Sequence, residues 1–149
     1  MTLPTLDQKA SQYAQLIVKE AKETKQQERL DSFITKVLGV LQEQGVYACM
    51  LFLYSRSDTE RSKARIIREQ LCAILKMLKD EYKILWEDKN GKTVLAPESA
   101  REDATAENAL KFYADVVPKD LDTLLLVRDL YEQTLIYARY AAKAEQKGG

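Results

Sequence analysis

Residues 45–56 read GVYACMLFLYSR: nine apolar side chains, Val46 to Tyr54, between a glycine and a Ser-Arg close. The rest of the chain is rich in charge, with Asp, Glu, Lys and Arg at 31% of all residues, so an apolar block in the middle decides the architecture. A bilayer span needs about 20 apolar residues, which excludes a membrane anchor. Periodicity alone cannot separate a buried strand from a core helix in so short a run. Its neighbours settle the choice: they read as helices, and no other long strand candidate exists to pair with it. The expectation is a short core helix, apolar on all sides and covered all round.

Working outward, Gly45 suits a left-handed helix stop. Before it, Leu30, Phe33, Ile34, Val37, Leu38 and Leu41 form the stripe of a second helix. Further upstream, Thr5-Leu6-Asp7-Gln8 matches a capping box, and Leu6, Ala10, Tyr13, Ala14, Ile17 and Ala21 continue it as a first helix. After the block, Ser57-Asp58-Thr59-Glu60 matches a second capping box. It opens the longest helix, to about Tyr82, with Ala64, Ile67, Leu71, Ile74, Leu75, Leu78 and Tyr82 facing a core. In KILWEDKNGKTVLA, Asn90-Gly91 signals a two-residue turn, so a small β-hairpin is expected near residues 84–95. APESAREDATAE reads as an acidic loop or helix start. Ala106, Ala109, Leu110, Tyr113 and Val117 form a helix stopped by Pro118.

The last helix is predicted from about Leu121 to Ala144. Leu124, Tyr131, Leu135, Ala138 and Ala142 line one stripe; Leu126, Leu130 and Tyr137 line a second on nearly the opposite side. A helix with two apolar faces is central in its own bundle or shared with another chain. The 149 residues therefore read as one all-α domain, residues 1–149, of five or six helices with one hairpin insertion. Folding a chain of this size buries about 68–70% of its extended surface. Five glycines and three prolines are few, as long helices require.

The chemistry is mostly exclusion. There is no histidine, so His-based triads and metal sites are absent. No glycine-rich phosphate loop occurs. The acid pairs Asp80-Glu81 and Glu102-Asp103 are adjacent, and adjacent residues do not share a helix face. No enzymatic activity and no cofactor are expected. Cys49 and Cys72 sit among apolar neighbours without a metal spacing, as reduced cytosolic thiols do. MTLPTLDQKA lacks the basic segment and apolar core of a signal peptide, which also points to the cytoplasm.

Lysine plus arginine equal aspartate plus glutamate at 23 each, so any nucleic-acid contact must come from local patterning. The long helix has such a pattern. At about 100° per residue, Arg61, Arg65, Arg68, Lys76, Lys79 and Lys83 fall within a sector of about 80°. From residue 61 to 83 only Cys72 shares that sector; Glu69, Asp80 and Glu81 lie elsewhere. Like charges at i,i+4 repel by a few tenths of a kcal/mol, so an unmixed row is a candidate phosphate track rather than an ordinary solvated face. Arg56 closes the apolar block at its start. Tyr82 and Trp86 could stack on bases, against the plainer role of covering the core. Arg128, inside the first stripe of the last helix, reads as a buried ion pair or an inter-subunit contact. Arg139 and Lys143 are accounted for by the helix dipole.

DQKA near the N-terminus, the second amphipathic helix, VLQEQGVYACMLFLYSR, and the terminal LYEQTLIYARYAAKAE together resemble the small helical subunit of type III-B (Cmr-type) CRISPR–Cas effector complexes. Gln44-Gly45-Val46 fills that family's turn, Ser55-Arg56 its basic close, and Arg139-Tyr140-Ala141 its C-terminal finish. The resemblance covers the first sixty and last thirty residues. Two features depart from it: the family's tryptophan in the last helix is replaced around Tyr137 and Ala138, and the Trp86–Leu95 segment is extra.

The resemblance implies an all-α, non-catalytic scaffold in antiviral defence. It would stack in several copies along the backbone and large subunits, beside guide RNA and target RNA, with no membrane partner. On that reading Arg56, Arg61, Arg65, Arg68, Lys76, Lys79 and Lys83 contact RNA, and Leu126, Arg128, Leu130 and Tyr137 contact other subunits, copies of itself included. The alternative is a helical protein–protein adaptor without nucleic-acid contact.

Overall fold

Helix formation begins at the cap the sequence marks. The Thr5 hydroxyl accepts from the Gln8 N–H at 3.1 Å, and the Gln8 side-chain oxygen accepts from the Thr5 N–H at 2.8 Å, a reciprocal box. From it α1 runs Leu6–Glu23, followed by α2 (Leu30–Gln44), α3 (Val46–Tyr54), α4 (Asp58–Tyr82), α5 (Ala106–Asp115) and α6 (Leu121–Gly148). A 3-10 turn, Val117–Lys119, precedes α6. The computed structural model describes residues 5–98 and 105–148. Among them the architecture is all-α, and no helix is long and apolar enough to cross a membrane.

The apolar block is a helix. Gly45, at φ +97°, both ends α2 and starts α3, a backbone angle that only glycine adopts cheaply. Its N–H donates to the Leu41 carbonyl at 2.9 Å, and its carbonyl accepts from the Cys49 N–H at 3.0 Å. Val46, Cys49, Met50 and Leu53 are buried, whereas Tyr47 and Leu51 are 44% and 46% exposed. The chain thus covers α3 on one side only, because α2, α4 and α5 are the elements that pack on it.

The second capping box does not form. The Ser57 side chain makes no cap hydrogen bond. Glu60 instead turns its carboxylate to Lys36 of α2 at 2.9 Å and to Arg56 at 3.5 Å. Charge-assisted bonds of that kind are about twice as strong as a neutral one. Together they hold the Glu60 carboxyl below the usual range, the Lys36 hydrogen bond first.

α6 is central to the bundle: α1 and α2 both pack along it, α1 also meets α4, and α3 bridges to α4 and α5. Both apolar stripes of α6 are used within the chain. Tyr131, Leu135, Ala138 and Ala142 are buried, and so is Leu130 of the second stripe. A buried relay ties α4, α5 and α6 together. The Tyr131 hydroxyl donates to the Leu71 carbonyl at 2.7 Å, so the proton between the two phenol oxygens, 2.5 Å apart, belongs to Tyr113. The Cys72 thiol in turn lies 3.6 Å from the Tyr113 hydroxyl. Both cysteines are free and buried.

The hairpin is replaced by a turn. Asp88 accepts through its carboxylate from the Asn90 and Lys92 N–H groups, each at 2.9 Å. The Gly91 N–H donates to the Asp88 carbonyl at 2.9 Å, with Gly91 at φ +81°. The turn is therefore centred on Lys89-Asn90, one residue earlier than Asn90-Gly91 predicts. Among the described residues only one bridge, Glu87 to Thr93, forms. The Asp88 N–H donates to the Lys92 carbonyl at 2.8 Å and the Val94 N–H to the Trp86 carbonyl at 2.9 Å. Two strands alone are marginal, and the pairing goes no further than Trp86, whose side chain enters the core. Trp86 is 1% exposed, its indole N–H donating to the Leu75 carbonyl at 3.0 Å and its ring edge-on to Phe112 at 5.5 Å.

Candidate nucleic-acid interface

α4 carries five of the six predicted cations, and Lys83 follows as its left-handed C-cap at φ +61°. Arg61, Arg65, Lys76 and Lys83 are exposed, and Arg68 and Lys79 are half-buried. Residues 61 to 83 span about 33 Å at 1.5 Å per residue. Cys72, the one neutral member of the sector, is 6% exposed, because Tyr113 of α5 lies against it. The row therefore falls into two clusters, Arg61-Arg65-Arg68 and Lys76-Lys79-Lys83, separated by about 12 Å from residue 68 to residue 76.

Acids reach into the row from its edge. Glu69 and Asp80 sit about 20° and 40° beyond the sector, close enough for i,i+4 pairing. Arg65 donates to Glu69 at 2.9 Å, and Lys76 lies 3.2 Å from Asp80. Lys83 donates to the Asp80 carbonyl at 3.2 Å, near the C-terminal end of the helix. The Arg68 guanidinium stacks 4.7 Å over the Tyr54 ring. Burial, foremost, pushes the Tyr54 phenol up to about 12, the neighbouring Arg68 charge acting the other way. Arg61 and Lys79 have no ion pair or hydrogen bond with a described residue.

Arg56 belongs to the close of α3 more than to the row. It donates to the Phe52 carbonyl at 3.1 Å, stacks 3.9 Å over the Phe52 ring, and pairs with Glu60. All four predicted interface residues are likewise engaged inside the chain. Leu130 is buried in the core at 4% exposure. Arg128 donates to the Gln42 carbonyl at 3.1 Å, serving the C-terminus of α2 rather than an acid. The Tyr137 hydroxyl donates to the Asp7 carboxylate of α1. Leu126 is half-buried and packs against the core.

Beside the N-terminal cluster an open groove of about 590 Å³ runs between α4, the 84–98 segment and α5. Arg65, Arg68 and Lys111 line it together with Glu69, Asp88 and Asp115, so its charge is mixed. Lys111 and Tyr54 escape sequence reasoning because nothing local marks residues that only tertiary packing brings beside Arg68. Among the described residues no group of acids and cysteines is arranged to hold a metal; Glu102 and Asp103 lie outside the described residues. No family model, curated protein or solved structure matches the chain.

Proposed function

We propose that this chain is a non-catalytic small subunit of a CRISPR RNA-guided effector complex, of type III-B or a related kind. On this reading it steadies the phosphates of guide and target RNA along α4 while backbone and large subunits hold the rest of the assembly and supply the chemistry. The observation that carries the reading is the row of six cations, five on α4 and Lys83 at its C-cap, four of them exposed, with no acid inside their sector. Their pairing with Glu69 and Asp80 leaves them available. An exposed i,i+4 pair contributes only about 0.3–0.5 kcal/mol, and an RNA phosphate can replace the carboxylate with a charge-assisted bond of the same kind. No group on this face is placed to read a base edge, so contact is independent of sequence and sensitive to salt.

The test is to reverse Arg61, Arg65 and Arg68 to Glu and measure target-RNA binding by the assembled complex across a salt series. Each lost single-strand phosphate contact flattens the log–log salt slope by about 0.7, so losing three flattens it by about 2. Unchanged affinity with an unchanged slope would refute the assignment and favour the helical protein–protein adaptor.

A further inference from the structure

The groove between α4, the 84–98 segment and α5, about 590 Å³, falls in the range of about 300–1,000 Å³ that small-molecule sites occupy. One wall includes part of the Trp86–Leu95 segment, which is extra to the CRISPR small-subunit pattern, so the resemblance implies nothing about what the groove holds. Val94, Leu95, Ala109 and Phe112 give it apolar surface, and Leu95 is left 61% exposed.

Charge decides what fits. Arg65, Arg68 and Lys111 line the groove against Glu69, Asp88, Glu98 and Asp115. Two of the acids are already answered, Glu69 by Arg65 at 2.9 Å and Asp88 by the Asn90 and Lys92 N–H groups. That leaves Arg68 and Lys111 against Glu98 and Asp115, a balance with no net pull drawing a phosphate inside. Lys111, Glu98 and Asp115 have no side-chain ion pair or hydrogen bond with a described residue. A purely apolar occupant would strip water from these charges with nothing in return. A flat, neutral group with hydrogen-bonding edges suits both the apolar surface and the balanced charge.

Arg68 supplies a stacking surface. Its guanidinium lies 4.7 Å over the Tyr54 ring and is in no ion pair with a described residue. Tyr54 takes one face of that plane, which leaves the other for a second ring. Aromatic rings and arginine planes are the surfaces on which unpaired RNA bases stack. We infer that the groove seats the base of one unpaired nucleotide, stacked on Arg68, with its phosphate held at the rim by Arg65 and Lys111. The free carboxylates of Glu98 and Asp115 accept from an exocyclic amine, so a base that carries one, such as cytosine, is taken in preference to uracil. The inference rests on the α4 row as an RNA track and goes beyond it: the row reads no base, and the groove beside it takes one.

Chemical-shift mapping of the full chain with cytidine 5′-monophosphate, uridine 5′-monophosphate and inorganic phosphate tests it. The cytidine nucleotide should move the amides of Arg68, Val94 and Ala109 and bind about tenfold tighter than the uridine one, the worth of one hydrogen bond to a charged acceptor. Phosphate alone should leave Val94 and Ala109 unmoved. Glu98→Gln with Asp115→Asn, neither residue being buried, should remove the difference between the two nucleotides, and Arg68→Leu should weaken both. An oligocytidine should bind through the same groove more tightly than the mononucleotide, because Arg61 adds a phosphate contact; equal affinities would sever the groove from the row and mark a free nucleotide as its ligand. Absence of nucleotide shifts in the groove, equal binding of cytidine and uridine, or binding indifferent to these substitutions overturns the inference. If it falls while reversal of Arg61, Arg65 and Arg68 still flattens the salt slope of the assembled complex, the groove assignment fails and the RNA reading stands.

Discussion

Replacing Trp86 by alanine removes the largest fully buried side chain in the protein and tests how the 84–98 segment is held. The indole makes three separable contributions. Its hydrogen bond to the Leu75 carbonyl is worth about 1 kcal/mol net. The edge-on contact with Phe112 adds about 0.5–1.5 kcal/mol. The remaining apolar burial and the cavity left behind bring the expected total to about 3–5 kcal/mol. Trp86→Phe keeps a ring in the site and loses the N–H. The Leu75 carbonyl retains its helical donor, so this variant should cost about 1–2 kcal/mol.

For a chain of this length each kcal/mol lowers Tm by about 3–4 °C, placing the alanine variant about 9–20 °C below wild type. Urea unfolding followed by helical circular dichroism is the assay for both variants, since each removes the sole tryptophan. Fluorescence of the wild type supplies the control: native emission should resist an aqueous quencher and shift to the red on unfolding. An alanine variant within about 1 kcal/mol of wild type would refute the reasoning. So would a phenylalanine variant as costly as alanine, or a tryptophan readily quenched in the native state.

The two N-caps make a paired prediction. Thr5→Ala should cost about 1 kcal/mol, whereas Ser57→Ala, which removes no cap bond, should cost a few tenths at most; equal losses in urea titrations would contradict the capping geometry. The cysteines predict both reactivity and alkaline behaviour. Burial pushes the Cys49 thiol up to about 12 and the Cys72 thiol up to about 11, Cys72 being partly offset by Tyr113. A thiol reagent should therefore modify neither until the chain unfolds. Above about pH 9 the unfolded thiols ionise while the folded ones stay protonated, so stability should fall with rising pH through that window. Rapid labelling of the native protein at neutral pH, or stability unchanged between pH 8 and about 11, would count against both thiols being buried.

The helices were legible because each carries a 3.6-residue apolar stripe with local punctuation. Thr5, Gly45 and Pro118 lie at or near element boundaries, and each acts through its own backbone or its immediate neighbours. The hairpin near residues 84–95 was misread because Asn90-Gly91 marks a reversal of the chain but carries no information on whether a ladder follows. Trp86 entering the core, an interaction with α4 and α5, decides that. Ser57 was misread as a capping box for a similar reason: Glu60 had a better offer from Lys36, a residue twenty-four positions away.

The α4 row shows the division most clearly. Angular arithmetic placed all six cations on one side, and that placement holds for the five on α4, since it needs only the helical repeat, whereas Lys83 is the left-handed C-cap beyond it. The same arithmetic missed that Glu69 and Asp80, just past the edge, fold back onto Arg65 and Lys76, because side-chain reach exceeds the sector's margin. It also could not foresee that Tyr113 buries Cys72 and splits the row.

Sequence alone therefore determined the fold class, the order and starts of the helices and the helical character of GVYACMLFLYSR, all consequences of local spacing and glycine geometry. It ended the last helix near Ala144, whereas α6 runs to Gly148, and carried the fifth through Val117, whereas α5 ends at Asp115. Tertiary structure alone decided which faces remain available. It turned Leu130 inward, gave Arg128 to a helix carbonyl and left Tyr47 and Leu51 of the apolar block in solvent. It also brought Lys111 beside Arg68. A helix with several apolar or charged faces does not say which neighbour it will meet, and only packing against specific partners settles that.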